Sequence, residues 1–399
     1  MYKNAIKHRQ IGEQSEISNS LNNALCNKDS TTFWKMWKNK FGKKNVPLKT
    51  IDGLSEEGSI VEKFAEVFSK EVCVDANKKT EIRNSLLERL KLYEGDNFQY
   101  SHPIVTCILT KLFNLLTIFN YVPNEFGRGV IIPIPKGDDK NMHNKSENYR
   151  GITVSPVVSK IYELCLVQFL HKYLKSSDHQ MGFKKGVGCG NAILSLRKII
   201  DHFTANNSTV NICTVYLSKA FDRISYDILL LKLIDRNVPR CFIEIIRNWY
   251  DKMFCAVKWG LKISTFFPLT SGIRQGGILS PALFAIYVDD VLNKLEHSKL
   301  GCVIKNKCVN SFMYADDLIL LSVSIHDLQS MINICEIEFK NIFMLINSKK
   351  TACLRIGARH NVITQAITVH DQAIEWKQEL KYLVFGSSIW VVHFSSFNP

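Results

Sequence analysis

The strongest constraint on the fold is a pair of adjacent aspartates between two apolar runs. Residues 311–322 read Ser-Phe-Met-Tyr-Ala-Asp-Asp-Leu-Ile-Leu-Leu-Ser. Apolar runs on either side of a short polar break are typical of a β-hairpin, so we predict that Asp316 and Asp317 lie at its turn. Paired anions are costly to bury without a cation, and Mg²⁺ prefers oxygen ligands. The segment therefore predicts a magnesium site, although an exposed Asp-Asp turn would give the same pattern.

The composition is that of a globular protein with an anionic partner. The chain has 399 residues, of which 46% are hydrophobic and 22% charged, and its formal net charge is +14. The apolar fraction is sufficient for a sizeable core, and the positive excess favours nucleic acid as the partner. The twelve cysteines contain no Cys-x-x-Cys pair, and we interpret them as reduced intracellular thiols.

Neither the N-terminal residues nor the apolar runs predict secretion or membrane insertion. Residues 1–14 are polar and basic, unlike a signal peptide. The apolar run 104–119 is interrupted by Lys111 and Asn114, which makes it a poor membrane span. We therefore expect an intracellular protein, in the nucleus or the cytoplasm, with no membrane partner. The pattern does not predict an oligomeric state.

Strand and helix patterns follow one another without a regular βαβ alternation. This irregular order predicts an α+β fold and argues against a dinucleotide-binding fold. Gly186-Val187-Gly188 lacks the third glycine of the dinucleotide fingerprint. The first hundred residues are predicted to be helical, with an aromatic helix at 33–41 and a capping box formed by Ser59 and Glu62.

Five further motifs accompany the acidic turn. In chain order they are Asn-Tyr-Arg-Gly-Ile (148–152), Gln-Met-Gly-Phe-Lys-Lys-Gly (180–186), Leu-Ser-Lys-Ala-Phe-Asp (217–222), Ile-Arg-Gln-Gly-Gly-Ile-Leu-Ser-Pro (273–281) and Asn-Ser-Lys-Lys-Thr (347–351). Each motif is weak alone. Together with Tyr-Ala-Asp-Asp (314–317), and in this order, they resemble the reverse transcriptases of non-LTR (LINE-like) retrotransposons, from about residue 130 to about residue 383.

The resemblance implies a right-hand polymerase fold. Fingers would occupy residues 101–205, and a palm with an antiparallel sheet and packed helices would occupy residues 206–386. Residues 1–100 would form a helical N-terminal extension, similar to the segment that links endonuclease and polymerase in that family. Residues 387–399 would be a truncated tail where a thumb begins. We accordingly expect a fragment that lacks the endonuclease and most of the thumb.

The resemblance also assigns roles to single residues. Two Mg²⁺ ions, which Mn²⁺ could replace, would activate a primer 3′-hydroxyl and clamp the triphosphate, with Asp316 and Asp317 as ligands. The residues expected at the incoming deoxynucleoside triphosphate are Lys136, Arg150, Phe221, Gln275 and Gly276. Lys350 is expected at the leaving pyrophosphate. Lys184 and Lys185 are expected at the RNA template backbone. The other substrate would be a DNA primer.

Three of these assignments have an ordinary structural alternative. Lys136 lies beside other loop charges, Phe221 could be a core phenylalanine, and Lys350 could be a surface lysine. Arg150 is the stronger candidate for phosphate contact, because a guanidinium binds phosphate with two parallel hydrogen bonds.

One position departs from the family motif in a way that bears on catalysis. The motif Asp-Leu-Ser-Lys-Ala-Phe-Asp begins with a metal-binding aspartate, and this chain has Tyr216 there. A phenol with a pKa of about 10 is neutral and cannot replace a carboxylate that bridges two Mg²⁺ ions. Asp222 is no substitute, because six residues span about 20 Å along an extended strand. We therefore predict impaired catalysis.

Two alternatives remain beside an impaired polymerase. The first is a catalytically dead nucleic-acid-binding relic that retains the polymerase fold, and Tyr216 is the residue that separates it from an active enzyme. The second is another reverse transcriptase lineage, such as an intron-encoded maturase, which the Leu-Ser-Lys-Ala-Phe-Asp motif disfavours.

Overall fold

A computed structural model of the chain describes residues 52–69, 103–136, 144–385 and 388–393. The aromatic helix predicted at 33–41 lies outside these residues, as does most of the predicted N-terminal extension. Within the predicted tail, only 388–393 is described, and it forms a strand.

Helices and strands are both abundant in the described part of the chain, which confirms the α+β class. The helices are α1 (Glu57–Ser69), α2 (Pro103–Ile118), α3 (Asn124–Gly127), α4 (Val157–Leu170), α5 (Cys189–Ala205), α6 (Tyr226–Asp235), α7 (Arg240–Tyr250), α8 (Ser280–Ser298) and α9 (Ile325–Asn341). Short 3-10 helices occupy Ser146–Asn148 and Ala220–Arg223. No helix of the described ranges is long and apolar enough to cross a membrane.

The strands of the described ranges fall into two five-stranded sheets and three two-stranded hairpins. They are β1 (Arg128–Pro135), β2 (Tyr149–Val154), β3 (Thr209–Tyr216), β4 (Phe254–Trp259), β5 (Lys262–Ile263), β6 (Phe267–Pro268), β7 (Val303–Ile304), β8 (Lys307–Cys308), β9 (Ser311–Tyr314), β10 (Asp317–Ser322), β11 (Ala352–Gly357), β12 (Thr368–Val369), β13 (Gln372–Ala373), β14 (Glu375–Lys377), β15 (Glu379–Phe385) and β16 (Ser388–His393).

The first sheet has the order β2-β1-β4-β5, with β6 paired to β4. Strands β1 and β2 are antiparallel, and β1 and β4 are parallel, with Arg128 opposite Phe254. The sheet therefore joins a strand of the predicted fingers, residues 101–205, to strands from the predicted palm, residues 206–386. The predicted boundary between fingers and palm at residue 205 remains a proposal. It would assign β1 and β2 to one domain and β4, β5 and β6 of the same sheet to the other.

The second sheet has the order β14-β11-β3-β10-β9. Its pairs are antiparallel except β11 and β14, so the predicted antiparallel sheet has one parallel edge. Seven of the eight residues of its central strand β3 are buried, because both faces of the sheet are covered. Cys213 and Val215 pack with the residues of α6, α8 and α9, whereas Val210 and Ile212 pack against α5.

Helix α1 packs on the first sheet. The ring of Phe64, which is fully buried, lies 5.0 Å from Tyr149 of β2 and 5.2 Å from Trp259 of β4. The capping-box prediction at Ser59 is wrong: α1 begins at Glu57, and the amide of Ile60 already donates a helical hydrogen bond to the Glu56 carbonyl. Ser59 therefore lies inside the first turn, where its side chain cannot be the N-cap.

Candidate functional site

The acidic pair lies at the tip of a β-hairpin, as predicted. Strands β9 and β10 pair with Tyr314 opposite Asp317, and a two-residue turn of Ala315 and Asp316 connects them. Ala315 has a φ of +55°, in the left-handed region that non-glycine residues seldom adopt. Asp316 thus occupies the turn itself, and Asp317 is the first residue of β10.

Tyr216 lies beside both carboxylates. It is the last residue of β3 and the direct cross-strand partner of Asp317. Burial raises the pKa of the Tyr216 phenol, and the charges of Asp317 and Asp316 raise it further. The phenol is therefore neutral at physiological pH and adds no negative charge beside the two carboxylates.

The positive charge of Arg150 offsets only part of the cost of ionising the two buried carboxyl groups. Burial raises the pKa of Asp317 to about 6, the charge of Asp316 adds to this effect, and Arg150 opposes it. Burial likewise raises the pKa of Asp316, against a backbone hydrogen bond and the charge of Arg150. Because desolvation exceeds the attraction of Arg150 at both groups, a further cation would stabilise the ionised pair.

Three cationic side chains converge on one end of the first sheet. Arg150 of β2 is opposite Ile134 of β1, and Lys136 follows β1 directly. The Lys136 ammonium donates a 2.8 Å hydrogen bond to the Glu147 carbonyl. Its pKa is lowered by burial and by the charges of Lys350 and Arg150. Lys350 belongs to the loop before β11, so the two sheets contribute to one cationic group.

The loop that carries Gln275 and Gly276 is docked on β2. The Thr153 amide donates a 2.8 Å hydrogen bond to the Gln275 carbonyl, and Gln275 Nε2 donates to Asp222 Oδ1 at 3.4 Å. Gly276 has a φ of +117°, and a Cβ there would lie 2.8 Å from the Thr153 carbonyl oxygen. Burial raises the pKa of Asp222, whereas Gln275, Lys219 and Lys136 lower it. Asp222 therefore lies with the Gln275 loop and the Lys136 ammonium.

Phe221 packs against other aromatic rings and is also partly exposed, so it has features of both a core residue and a site residue. Its ring stacks on that of Phe284 at 4.4 Å and lies edge-on to Phe183 at 6.3 Å. The side chain is nevertheless only half-buried, so part of it is accessible to solvent. Phe183, which is 44% exposed and has a φ of +63°, was not singled out by the sequence.

The two lysines predicted at the template differ in their surroundings. The Lys184 ammonium donates to the Ser177 carbonyl at 2.7 Å and to Asp178 Oδ1 at 3.4 Å. Lys185 is exposed. The structure therefore brings Lys136, Arg150, Lys350, Asp316 and Asp317 together, and it ties Lys184 to its own segment.

Sequence reasoning missed a buried ion pair beneath the Gln275 loop. Glu163 of α4 lies 3.7 Å from Arg274, and both side chains are about 5% exposed. The Glu163 carboxylate also accepts hydrogen bonds from the amides of Ile278 and Leu279, just before α8. An acidic residue within the otherwise apolar pattern of α4 was the only sequence signal for this role.

The side chains at the turn do not form a complete ligand set for two divalent ions. Within the described part of the chain, no group of three or more His, Cys, Asp or Glu side chains could hold a metal ion. Asp316 and Asp317 supply carboxylate oxygens, and Tyr216 beside them supplies only a neutral phenol. Hard divalent cations prefer several anionic oxygens, so these residues fit the two-ion arrangement poorly.

Comparison with known proteins identifies the family of this chain. Residues 134–386 match the family described as reverse transcriptase (RNA-dependent DNA polymerase). A Pol polyprotein from the type-2 retrotransposable element R2DM of Drosophila melanogaster is 24% identical over 63% of this chain and 23% of its own length. A probable RNA-directed DNA polymerase from transposon X-element of the same organism is 27% identical over 46% of this chain and 20% of its own.

The chain thus spans less than a quarter of either relative. Among solved structures, telomerase from Candida tropicalis aligns over 88% of this chain and 70% of its own, with a TM-score of 0.44 and 13% identity. The match to the family covers more than half of the chain. The chain belongs to the reverse transcriptase (RNA-dependent DNA polymerase) family, and its sequence is similar to the reverse transcriptases of non-LTR retrotransposons.

Proposed function

We propose that this chain is the RNA-directed DNA polymerase domain of a LINE-like retrotransposon and that Tyr216 impairs its catalysis. In this function an RNA template directs nucleotide transfer to the 3′-hydroxyl of a DNA primer. The observation that carries the proposal is the placement of Asp316 and Asp317 next to Arg150, with Lys136 near that guanidinium and Lys350 near Lys136.

The cationic group supports a triphosphate in the cleft. Arg150 and Lys136 would contact its phosphates, and Lys350 would neutralise charge on the leaving pyrophosphate. Burial, and then repulsion from Lys350 and Arg150, lower the pKa of Lys136, so a polyanion that binds there relieves an existing electrostatic cost. Each of these roles needs a multiply charged anion, which a deoxynucleoside triphosphate supplies.

The surfaces around the cationic group support the remaining substrate contacts. Gly276 allows the backbone of the Gln275 loop to approach the nucleotide closely. The exposed part of Phe221 would pack under the sugar and exclude a 2′-hydroxyl. Lys184 and Lys185 would contact the template backbone without reading its sequence, and the net charge of +14 supports binding of nucleic acid.

Tyr216 limits the chemistry that this domain can perform. The family uses divalent ions, which would supply charge neutralisation and activation of the primer hydroxyl when bound. Asp316 and Asp317 would supply two anionic ligands to such ions. Because the Tyr216 phenol is neutral, the site would have one anionic ligand too few. Altering even indirect partners of a metal site costs about 10–100-fold in activity, so loss of a direct ligand costs more.

The decisive experiment is primer extension on an RNA template with Mg²⁺ and, separately, with Mn²⁺. We expect weak or no extension by the wild-type chain and an increase of at least about 100-fold for Tyr216→Asp. Tyr216→Phe is the matched control, because it keeps the ring and adds no carboxylate. Equal, robust extension by the wild-type chain and Tyr216→Asp would show that Tyr216 does not occupy the ligand position.

Tyr216 also supports a second candidate function, a non-catalytic nucleic-acid-binding protein with the polymerase fold. This function predicts salt-sensitive binding of a primer–template duplex and no nucleotide incorporation, even by Tyr216→Asp. A titration of fluorescent duplex at several salt concentrations, combined with the extension assay, distinguishes the two functions. Absence of binding at low salt would contradict both.

A further inference from the structure

The segment 179–182 lies along the outer edge of the second sheet. The amide of Met313 in β9 donates to the His179 carbonyl at 2.8 Å, and the amide of Met181 donates to the Met313 carbonyl at 2.7 Å. Gln180 and Met313 form a parallel bridge. The segment therefore pairs with the edge strand β9 and ends beside the turn that carries Asp316.

The side chain of Gln180 reaches the acidic turn and is fully buried. Its Oε1 atom accepts hydrogen bonds from the amides of Gly182, at 2.9 Å, and Ala315, at 3.2 Å. Its Nε2 atom donates to the Ala315 carbonyl at 3.2 Å. One amide group thus binds both polar backbone atoms of Ala315, the residue just before Asp316.

The turn depends on such a partner for two reasons. Ala315 adopts a φ of +55°, which an L-residue holds only when its surroundings fix it. The Ala315 amide, moreover, donates to Gln180 Oε1 and would lose this acceptor if residue 180 were apolar. The packing is close as well, because a Cβ at Gly182 would lie 2.4 Å from the Ala315 nitrogen.

We propose that Gln180 is a positioning residue that fixes the Ala315 peptide and thereby the directions in which Asp316 and Asp317 enter the cleft. Because Gln180 Oε1 bonds the amides of both Gly182 and Ala315, it also links the acidic turn to the segment that continues to Lys184. The clamp is a property of the fold, whereas its importance for catalysis rests on the proposed polymerase function.

The test is hydrogen exchange of the full chain, resolved to single amides, for the wild type and Gln180→Met. Methionine has a similar shape and cannot accept these bonds. We expect the Gly182 and Ala315 amides to exchange about tenfold faster or more, because they share one lost acceptor. The Met181 amide, which is bonded to the Met313 carbonyl, should keep most of its protection.

Asn211→Leu is the matched control. Asn211 is also fully buried, and its side chain donates to the Ser322 carbonyl at 3.1 Å, at the end of β10 opposite to Asp317. The Asn211→Leu substitution should leave the exchange of Gly182 and Ala315 unchanged. Uniformly faster exchange across the sheet in Gln180→Met, or exchange of Ala315 within about twofold of wild type, would overturn the positioning role.

A second readout concerns catalysis in the Tyr216→Asp background. Adding Gln180→Met there should lower kcat by about tenfold or more and change the KM for the nucleotide less, because the clamp acts on the carboxylates. A loss confined to KM would contradict this. If Tyr216→Asp itself shows no incorporation, the proposed function fails, while the exchange result still decides whether Gln180 holds the turn.

Discussion

Glu163 and Arg274 form a buried ion pair that links helix α4 to the loop carrying Gln275. Arg274 also donates to the Phe126 carbonyl at 3.1 Å, and its guanidinium lies 5.7 Å from the ring centroid of Trp249. Glu163 accepts amide hydrogen bonds at the start of α8. The pair therefore holds the Gln275 loop between two helices, at the edge of the proposed nucleotide site.

We expect Glu163→Ala to lower the free energy of unfolding by about 3–5 kcal/mol. The substitution leaves the buried Arg274 charge unpaired and two amides without an acceptor. Urea unfolding measures the change. Arg197→Ala is the control, because Arg197 and Asp201 form an exposed pair at 3.8 Å, and its loss should cost less than about 0.5 kcal/mol. Similar losses in both variants would contradict the buried role.

Gly276→Ala tests the close approach of the Gln275 loop to β2. A Cβ would meet the Thr153 carbonyl at 2.8 Å, and the φ of +117° is strained for alanine, so we expect a loss of more than about 1 kcal/mol. Two controls separate these causes. Gly186→Ala has a φ of +80° in open space and should show only the strain, whereas Gly188→Ala meets nothing within 4 Å and should lose only the preference for glycine over alanine at the N-cap of α5. Thermal unfolding ranks the three variants.

The acidic turn should make stability depend on pH in a defined direction. The pKa of Asp317 is about 6 in the folded chain and about 4 in the unfolded chain, so the folded state binds the proton more tightly. The free energy of unfolding should therefore fall as pH rises from about 4 to about 6, and the loss persists above that range.

Asp317→Asn removes this cost. In metal-free buffer we expect the variant to be about 1 kcal/mol more stable than wild type at neutral pH, a value reduced from the full shift because the carboxyl is partly exposed to solvent. The difference should vanish near pH 4. Unfolding measured across this range checks the prediction, and a difference that stays constant with pH would refute it. Asp201→Asn, on an exposed helix face, is the control.

Local sequence patterns predicted the hairpin of Asp316 and Asp317 because two apolar runs and a short break encode it without distant partners. The strand at Tyr216 was recognisable for the same reason. The contacts of Gln180 and Glu163 were not, since each depends on pairing with residues more than a hundred positions away. Periodicity reports which face of an element is buried, and it does not report which distant backbone atoms meet a polar side chain there.

The packing of α1 on the first sheet was equally hidden, and it leads to a further prediction. The sequence predicted a helix near Ser59, and the structure packs its Phe64 ring against both Tyr149 and Trp259. Tyr149 directly precedes Arg150. We therefore expect Phe64→Ala to cost about 3–5 kcal/mol in the free energy of unfolding and to loosen the strand that presents the Arg150 guanidinium.

Glu62→Ala, on the exposed face of the same helix, is the matched control and should change stability by less than about 0.5 kcal/mol. Urea unfolding gives the first comparison. In the Tyr216→Asp background, the KM for the nucleotide should rise for Phe64→Ala and remain unchanged for Glu62→Ala, because only Phe64 supports the strand beneath Arg150. If both variants unfold at the same urea concentration, α1 is not part of the cooperative unit that holds this site.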